Sequence, residues 1–382
     1  MNFFKQAEIG PVINEKSEQV KNIIESFDRL YYAQGKVTHR SRFARNSQDK
    51  EGRERPLFSR ADRAELFKKF KKQPEGSSAR ENIIAEANLR DEINEQYLNQ
   101  REVTVSSEYG PQKARISDIN PPESLQTPET KKQPPIFLIP GISNDIECVS
   151  ALITEVAYQG RRIITAGYPE SFMGQTTEEF AAAVEKDSGL TPHIEFFKTV
   201  IDKFFDKDQD IELWGLSTGA PIVSGILTDK TYQEKTKDAV LLFPAASVEQ
   251  KLSSFNLGVM HDLGFMKDNS SASLNFTVDS KIPKAKEQME LRKKIMGSLT
   301  KKIIKADQNW RTALVQEGGN IIVVSGGNDR ITKSAQMSEE FLKGNSAMRV
   351  LDLPTAYHST PQIEPELVVS KLFELEQKLK KE

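Results

Sequence analysis

Cysteine is almost absent: the 382 residues contain one, Cys148. No intramolecular disulfide and no cysteine-based zinc site can form from it, and buried packing is its expected role. Four histidines (His39, His193, His261 and His358) are little material for a histidine-rich metal centre. There is no H-E-x-x-H, and no G-x-G-x-x-G follows the first core strand, so neither a zincin nor a nicotinamide enzyme is expected. We therefore expect no metal and no cofactor. Gly326-Gly327 is not followed by the Lys-Ser/Thr that a phosphate loop requires. Apolar runs reach only about five residues, too short to span a bilayer. An excess of one charge is also missing. The 53 Lys/Arg face 55 Asp/Glu for a net charge of −2, which excludes a uniformly basic nucleic-acid coat and a halophile-like acidic surface. The N-terminal MNFFKQAEIGPVINEKSEQVK has no basic stretch leading into an apolar one, so no secretory signal and a cytoplasmic setting are expected.

Apolar residues make up 37% of the chain and charged residues 28%, ordinary globular usage for two domains or one large domain with an appendage. The charge is unevenly placed. Residues 36–72 hold thirteen Lys/Arg against five Asp/Glu, and residues 1–101 carry a net +4, which leaves the rest at −6. The plain reading of the 36–72 cluster is a solvated surface; the sharper one is a contact for an anionic partner such as phospholipid, nucleic acid or an acidic protein patch. Residues 1–101 read as a helical, basic N-terminal extension. Val20, Ile23, Ile24, Phe27, Leu30 and Tyr31 recur at helical spacing. Further helices are expected from Ser59 to Lys72 and from about Ser78 to Asn99, and the stretch from Thr38 to Pro56 is expected to be disordered.

From about Glu102 the pattern changes. Val103, Val105, Ala114 and Ile116 alternate with polar residues around Tyr109-Gly110-Pro111, which reads as a β-hairpin. Prolines 121, 122, 128, 134 and 135 mark a stiff connection. Short apolar runs then alternate with helical patterns. The runs are Ile136–Ile139, Arg162–Ala166, Ile211–Trp214, Ala239–Phe243, Ile321–Val324 and Met348–Leu351. The helical patterns fall at about 145–159, 192–205, 218–228, 333–343 and 364–380. Such alternation specifies a parallel sheet covered on both faces. Between Phe243 and Ile321 no strand of this type occurs, and an insertion of that length reads as a cap or lid at about 245–319. It contains an apolar-rich piece, Leu252–Met260, and a basic helical stretch from about Lys284 to Lys305. The plain reading of the latter is a solvated helix face.

The chemistry-bearing segment is Ile211-Glu-Leu-Trp-Gly-Leu-Ser-Thr-Gly-Ala220. An apolar strand runs straight into Gly215-Leu216-Ser217-Thr218-Gly219, and a helix follows. This is G-x-S-x-G in strand–turn–helix context. A serine lifted above the sheet edge on a sharp turn leaves no room for side chains two residues before and two after it, hence the glycines. The turn also aims a helix N-terminus and the Thr218 amide at developing negative charge.

On this motif the chain resembles the α/β-hydrolase superfamily, over about residues 102–382 with the leading hairpin included. The resemblance implies an α/β-hydrolase fold with a mostly parallel central sheet, here with a helical cap insertion and a helical N-terminal extension. It implies a serine nucleophile, then an acid after a late strand, then a histidine after the last strand. Asp329 in Ile321-Ile-Val-Val-Ser-Gly-Gly-Asn-Asp329 and His358 beyond Met348–Leu351 meet that order. Ser217 would be the nucleophile, His358 its general base, and Asp329 the group that fixes the imidazole tautomer. The oxyanion hole would be the backbone N–H groups of Thr218 and of Ile142, in Ile139-Pro140-Gly141-Ile142-Ser143. The family often has His-Gly where this chain has Pro140-Gly141.

Each assignment has a duller competitor. Ser217 could cap a helix, Asp329 could serve a turn, and His358 could make a structural hydrogen bond. Glu249 and Asp352 compete for the acid. His193 and His261 read as structural. The function expected is a serine hydrolase of an ester or related acyl bond on a small-molecule or lipid acyl substrate. The apolar residues of the insertion, Leu252, Phe255, Leu257, Val259, Met260, Leu263, Phe265 and Met266, would line an acyl pocket or simply pack the cap. The alternatives are an acyltransferase and a non-catalytic interaction protein on the same scaffold.

Overall fold

In the computed structural model of the chain, residues 100–142, 146–171, 174–187, 190–245, 249–269, 284–305, 320–335, 348–363 and 365–379 are described, with part of the positions from 72 to 99. The basic cluster as far as Lys71, most of the N-terminal extension, His39 and positions 336–343 of the expected 333–343 helix lie outside the described residues.

The alternating segment after residue 100 forms the expected hairpin, β1 (Arg101–Ser107) and β2 (Gly110–Ile119), with Ser107 opposite Gly110. The apolar runs become β3 (Ile136–Ile139), β4 (Ile163–Ala166), β5 (Ile211–Leu216), β6 (Thr236–Leu242), β7 (Asn320–Gly326) and β8 (Met348–Leu353). They form one eight-stranded sheet in the order β1-β2-β4-β3-β5-β6-β7-β8. The β1–β2 and β2–β4 pairs are antiparallel and every other pair is parallel. Strands β3, β4 and β5 are buried at every position. Their sequences are mostly apolar because helices cover both faces, with Thr165 of β4 and Glu212 of β5 the polar exceptions.

The pleat divides those side chains between two cores. Phe137 and Ile139 of β3, with Ile211 and Leu213 of β5, meet Phe196, Phe197, Val200 and Ile201 of the helix Thr191–Phe204. Ile136 and Leu138, with Trp214 and Leu216, meet Leu152, Ile153 and Val156 of the helix Ser150–Tyr158 and Val368, Val369 and Leu372 of the C-terminal helix Pro365–Leu379. The described positions of the expected 78–99 helix are helical through Gln96. Its Ile93 is buried in this second core.

Two helices fill the described part of the interval between β6 and β7: α1, Leu252–Asn269, and α2, Ala285–Lys305. α2 does present a solvated basic face, with Lys286, Lys293, Lys294 and Lys301 exposed. Its opposite stripe, Leu291, Ile295, Leu299 and Ile303, is buried at four-residue spacing. Its Gln288 side chain exchanges two hydrogen bonds with the backbone of Thr176 (2.8 and 2.9 Å) and so holds the loop after β4. Among the described residues no helix is long and apolar enough to cross a membrane.

Candidate active site

Parallel strands deliver their carboxyl ends to one edge of the sheet, where loops from different strands converge. Four such loops carry the proposed site residues singled out above. The first is the turn after β5. Ser217 has φ +53°, a left-handed conformation that costs an L-residue energy and persists where the surroundings enforce it. Here its N–H donates to the Leu242 carbonyl (2.8 Å), while its own carbonyl accepts from Ala220 (3.1 Å) and Ala245 (3.0 Å). The flanking glycines are sterically required. A methyl on Gly215 would fall 2.5 Å from the Gly219 carbonyl, and one on Gly219 would fall 2.2 Å from the Ile139 oxygen. The helix Gly219–Ile226 follows directly.

Asp329 lies beyond β7 and His358 beyond β8. His358 Nε2 is 2.9 Å from Ser217 Oγ, and His358 Nδ1 is 3.1 Å from Asp329 Oδ2. Residues 141 positions apart in the chain thus form one hydrogen-bonded line. Asp329 is buried and held by four further donors. The Ile331 and Thr332 amides reach Oδ1 (3.0 Å each), and the Thr332 and Ser334 hydroxyls reach Oδ2 (2.5 and 3.0 Å). Phe243 packs edge-on against the His358 ring, 6.3 Å between centroids.

The electrostatics follow from this packing. Burial by itself would push the Asp329 carboxyl up. The charge and hydrogen bond of His358, with the Thr332 hydroxyl and amide, outweigh burial and hold it below the ordinary aspartate value. Burial would likewise push the His358 imidazole down. The charge and hydrogen bond of Asp329 outweigh that and raise it, with Asp262 adding in the same direction.

The two expected oxyanion donors sit on neighbouring segments. Thr218 is buried at the N-terminus of the helix Gly219–Ile226. Ile142 follows β3, whose last residue Ile139 pairs with Gly215. The Tyr168 hydroxyl donates to the Pro140 carbonyl (3.0 Å) and pins that loop.

The competing acids lie elsewhere. The exposed Asp352 accepts from Ser325 Oγ (2.8 Å), and Glu249 is exposed. His193 is fully buried against Glu170 (3.1 Å). Cys148 falls in the short 3₁₀ turn Ile146–Val149. A carboxylate that sequence reasoning missed, Asp262 of α1, is buried beside the histidine loop and accepts the Ser359 N–H (3.2 Å). No local motif marks it, because the contact spans 97 positions. The neighbouring His261 stacks on Tyr357 and, with Leu257, Met260, Asp329, Arg330 and Lys333, lines a cavity of about 700 Å³. Among the described residues no cluster of His, Cys, Asp and Glu could hold a metal ion.

No protein-family sequence profile matches the chain, and no curated protein matches it in sequence. Solved structures do match in shape. A candidate aryl esterase from Burkholderia cenocepacia aligns with TM-score 0.52 at 14% identity, over 74% of this chain and 100% of its own. A structure from a study of carboxylesterases of the thaumarchaeon Nitrososphaera gargensis aligns with TM-score 0.51 at 12% identity, over 73% and 99%. A candidate lipase from Acinetobacter baumannii aligns with TM-score 0.50 at 13% identity, over 81% and 99%. Strand order, the turn at Ser217 and these alignments agree that the chain has the α/β-hydrolase fold.

Proposed function

We propose that this protein is a serine hydrolase that cleaves an ester or related acyl bond through a covalent acyl-enzyme. The observation that carries the reading is the continuous line Ser217 Oγ–His358 Nε2 and His358 Nδ1–Asp329 Oδ2, at 2.9 and 3.1 Å. A serine hydroxyl is a weak nucleophile at neutral pH and needs an adjacent base. Ser217 Oγ attacks the acyl carbon while its proton passes to His358 Nε2. Asp329 accepts from Nδ1–H, fixes the tautomer and stabilises the imidazolium. The negative charge that forms on the acyl oxygen is received by the Thr218 and Ile142 amides. The intermediate collapses, and the leaving alkoxide takes the proton from His358. Water then attacks the acyl group, gives a proton to His358 and releases the acid, and the proton returns to Ser217 Oγ. An alcohol in place of water would make the same intermediate an acyl donor.

In this reading residues 102–382 are the hydrolase domain and residues 245–319 its cap. The position of α1 over the cavity beside Asp329 supports that role. The acyl substrate is a small molecule or a lipid, and the protein works in the cytoplasm. The basic segment 36–72 of the 1–101 extension would meet an anionic partner. The test is hydrolysis of p-nitrophenyl esters of graded chain length, together with labelling by a fluorophosphonate. Wild type should do both. Ser217→Ala should lose the label and at least about four orders of magnitude in kcat. A folded wild type that neither hydrolyses nor labels, or a Ser217→Ala variant as active as wild type, refutes the proposal.

A further inference from the structure

Helix α1 grips both loops that carry the acid and the imidazole. On the acid side its backbone lies directly on the loop: a methyl on Gly258 would fall 2.3 Å from the Arg330 carbonyl oxygen. Just before the helix, Gln250 Nε2 donates to the Ile331 carbonyl (2.7 Å). On the histidine side, the His261 ring stacks on Tyr357 with centroids 5.3 Å apart and planes 23° apart. Asp262 Oδ1 accepts the Ser359 N–H at 3.2 Å. Tyr357 and Ser359 are the two chain neighbours of His358, so two consecutive residues of α1 hold the chain immediately before and after it.

Asp262 is only 6% exposed. A neutral acceptor would satisfy one N–H equally well, and burying a carboxylate is costly unless a positive charge answers it. The charged and titratable groups around it are His358 and Asp329 from the two loops and His261 on its own helix. Asp329 repels it, and a protonated His358 attracts it. That attraction appears only when the imidazole takes up a proton, which in the proposed reaction happens as Ser217 attacks.

We propose that Asp262 is a positioning residue for His358: a second carboxylate, set on the inserted helix, that orients the imidazole with Asp329 and stabilises the imidazolium formed during acyl transfer. The inference rests on the assignment of His358 as general base. It makes the insertion part of the proton-transfer apparatus rather than only a cover.

The test is a histidine NMR titration of the full chain, with the His358 signal assigned by its loss in His358→Gln. Asp262→Asn keeps an oxygen for the Ser359 N–H and removes the charge. Its His358 midpoint should move to lower pH. In turnover, kcat should fall roughly tenfold with KM unchanged. An unmoved midpoint in Asp262→Asn overturns the inference. If that variant does not fold, the wild-type curve decides. Burial raises the Asp262 carboxyl above its ordinary value and the His358 contacts lower that of Asp329. The His358 signal should therefore carry a small extra inflection above the ordinary aspartate range, and its absence overturns the inference. The titration needs no substrate, so the two failures separate. Ester turnover with an unmoved titration sinks the role of Asp262 alone, and a shifted titration in a chain without turnover sinks the hydrolase reading and leaves only the coupling of Asp262 to His358.

Discussion

Asp329 meets His358 through one carboxylate oxygen while two backbone amides occupy the other. A group held by that many donors can aim an imidazole but has little freedom to follow one. The consequence is a pH profile of definite sign. In the proposed reaction His358 must be neutral to accept the Ser217 proton, and its imidazole is raised above the ordinary 6.5. Activity should therefore climb through a limb centred above 6.5 and be lost below it. Asp329→Asn removes the main cause of that rise, so the limb should move to lower pH while kcat falls by about four orders of magnitude. The stability linkage has the opposite sign for the two partners. The raised His358 contributes stability at low pH that is lost as pH rises through its folded value. The lowered Asp329 contributes stability above the ordinary aspartate value that is lost as pH falls through its folded value. A kcat/KM profile of wild type and Asp329→Asn, with denaturation midpoints across the same range, reads all three effects. A limb at or below 6.5 in wild type would contradict the geometry.

At the scale of elements, two kinds of glycine in this chain make opposite predictions. Gly219 sits where a methyl would meet the Ile139 backbone at 2.2 Å. Backbone cannot swing aside as a side chain can, so Gly219→Ala should cost about 3 kcal/mol and displace the turn that holds Ser217. Gly297 lies exposed within α2, and nothing stands within 4 Å of a methyl there. Gly297→Ala should therefore stabilise by about 0.8 kcal/mol through helix propensity and leave activity unchanged. Denaturant midpoints and esterase rates of the two variants distinguish them. The same contrast explains what the sequence could reveal. The Ser217 turn was legible because its constraint is local: a buried strand, two glycines and a helix within ten residues. The central strands were legible because burial on both faces makes them largely apolar runs, and the leading hairpin because its residues alternate. The helix Glu178–Lys186 was not, since its three buried residues, Phe180, Ala181 and Val184, are too few to establish a period. Asp262 was invisible for a different reason. Its meaning depends on a partner 97 positions away, and in sequence it is one more acid on a helix.

At the scale of the whole molecule, an ionic cluster is buried among the strands and the C-terminal helix. Arg161, just before β4, reaches Glu212 of β5 (2.6 Å), the Pro134 carbonyl (3.1 Å) and Glu376 of the C-terminal helix (3.7 Å). All three charged side chains are at most 8% exposed. Such a cluster is weak evidence for net stability, because desolvating three charges offsets much of their attraction. Removing one member is another matter. Arg161→Met would take the counter-charge from two buried carboxylates and should destabilise by about 3–5 kcal/mol. Glu212 is the second residue of β5 and Ser217 follows that strand's last residue, so the loss should fall on the denaturation midpoint and spare kcat in the molecules that remain folded. Pairing Arg161→Met with Glu212→Gln removes one of the two buried carboxylate charges and should return part of the loss. If the double variant is no more stable than the single one, the cost lies in lost packing of Arg161 on the Phe373 ring, 5.6 Å away, rather than in uncompensated charge. That outcome would make the cluster a matter of shape, with the cation filling space between the sheet and its last helix.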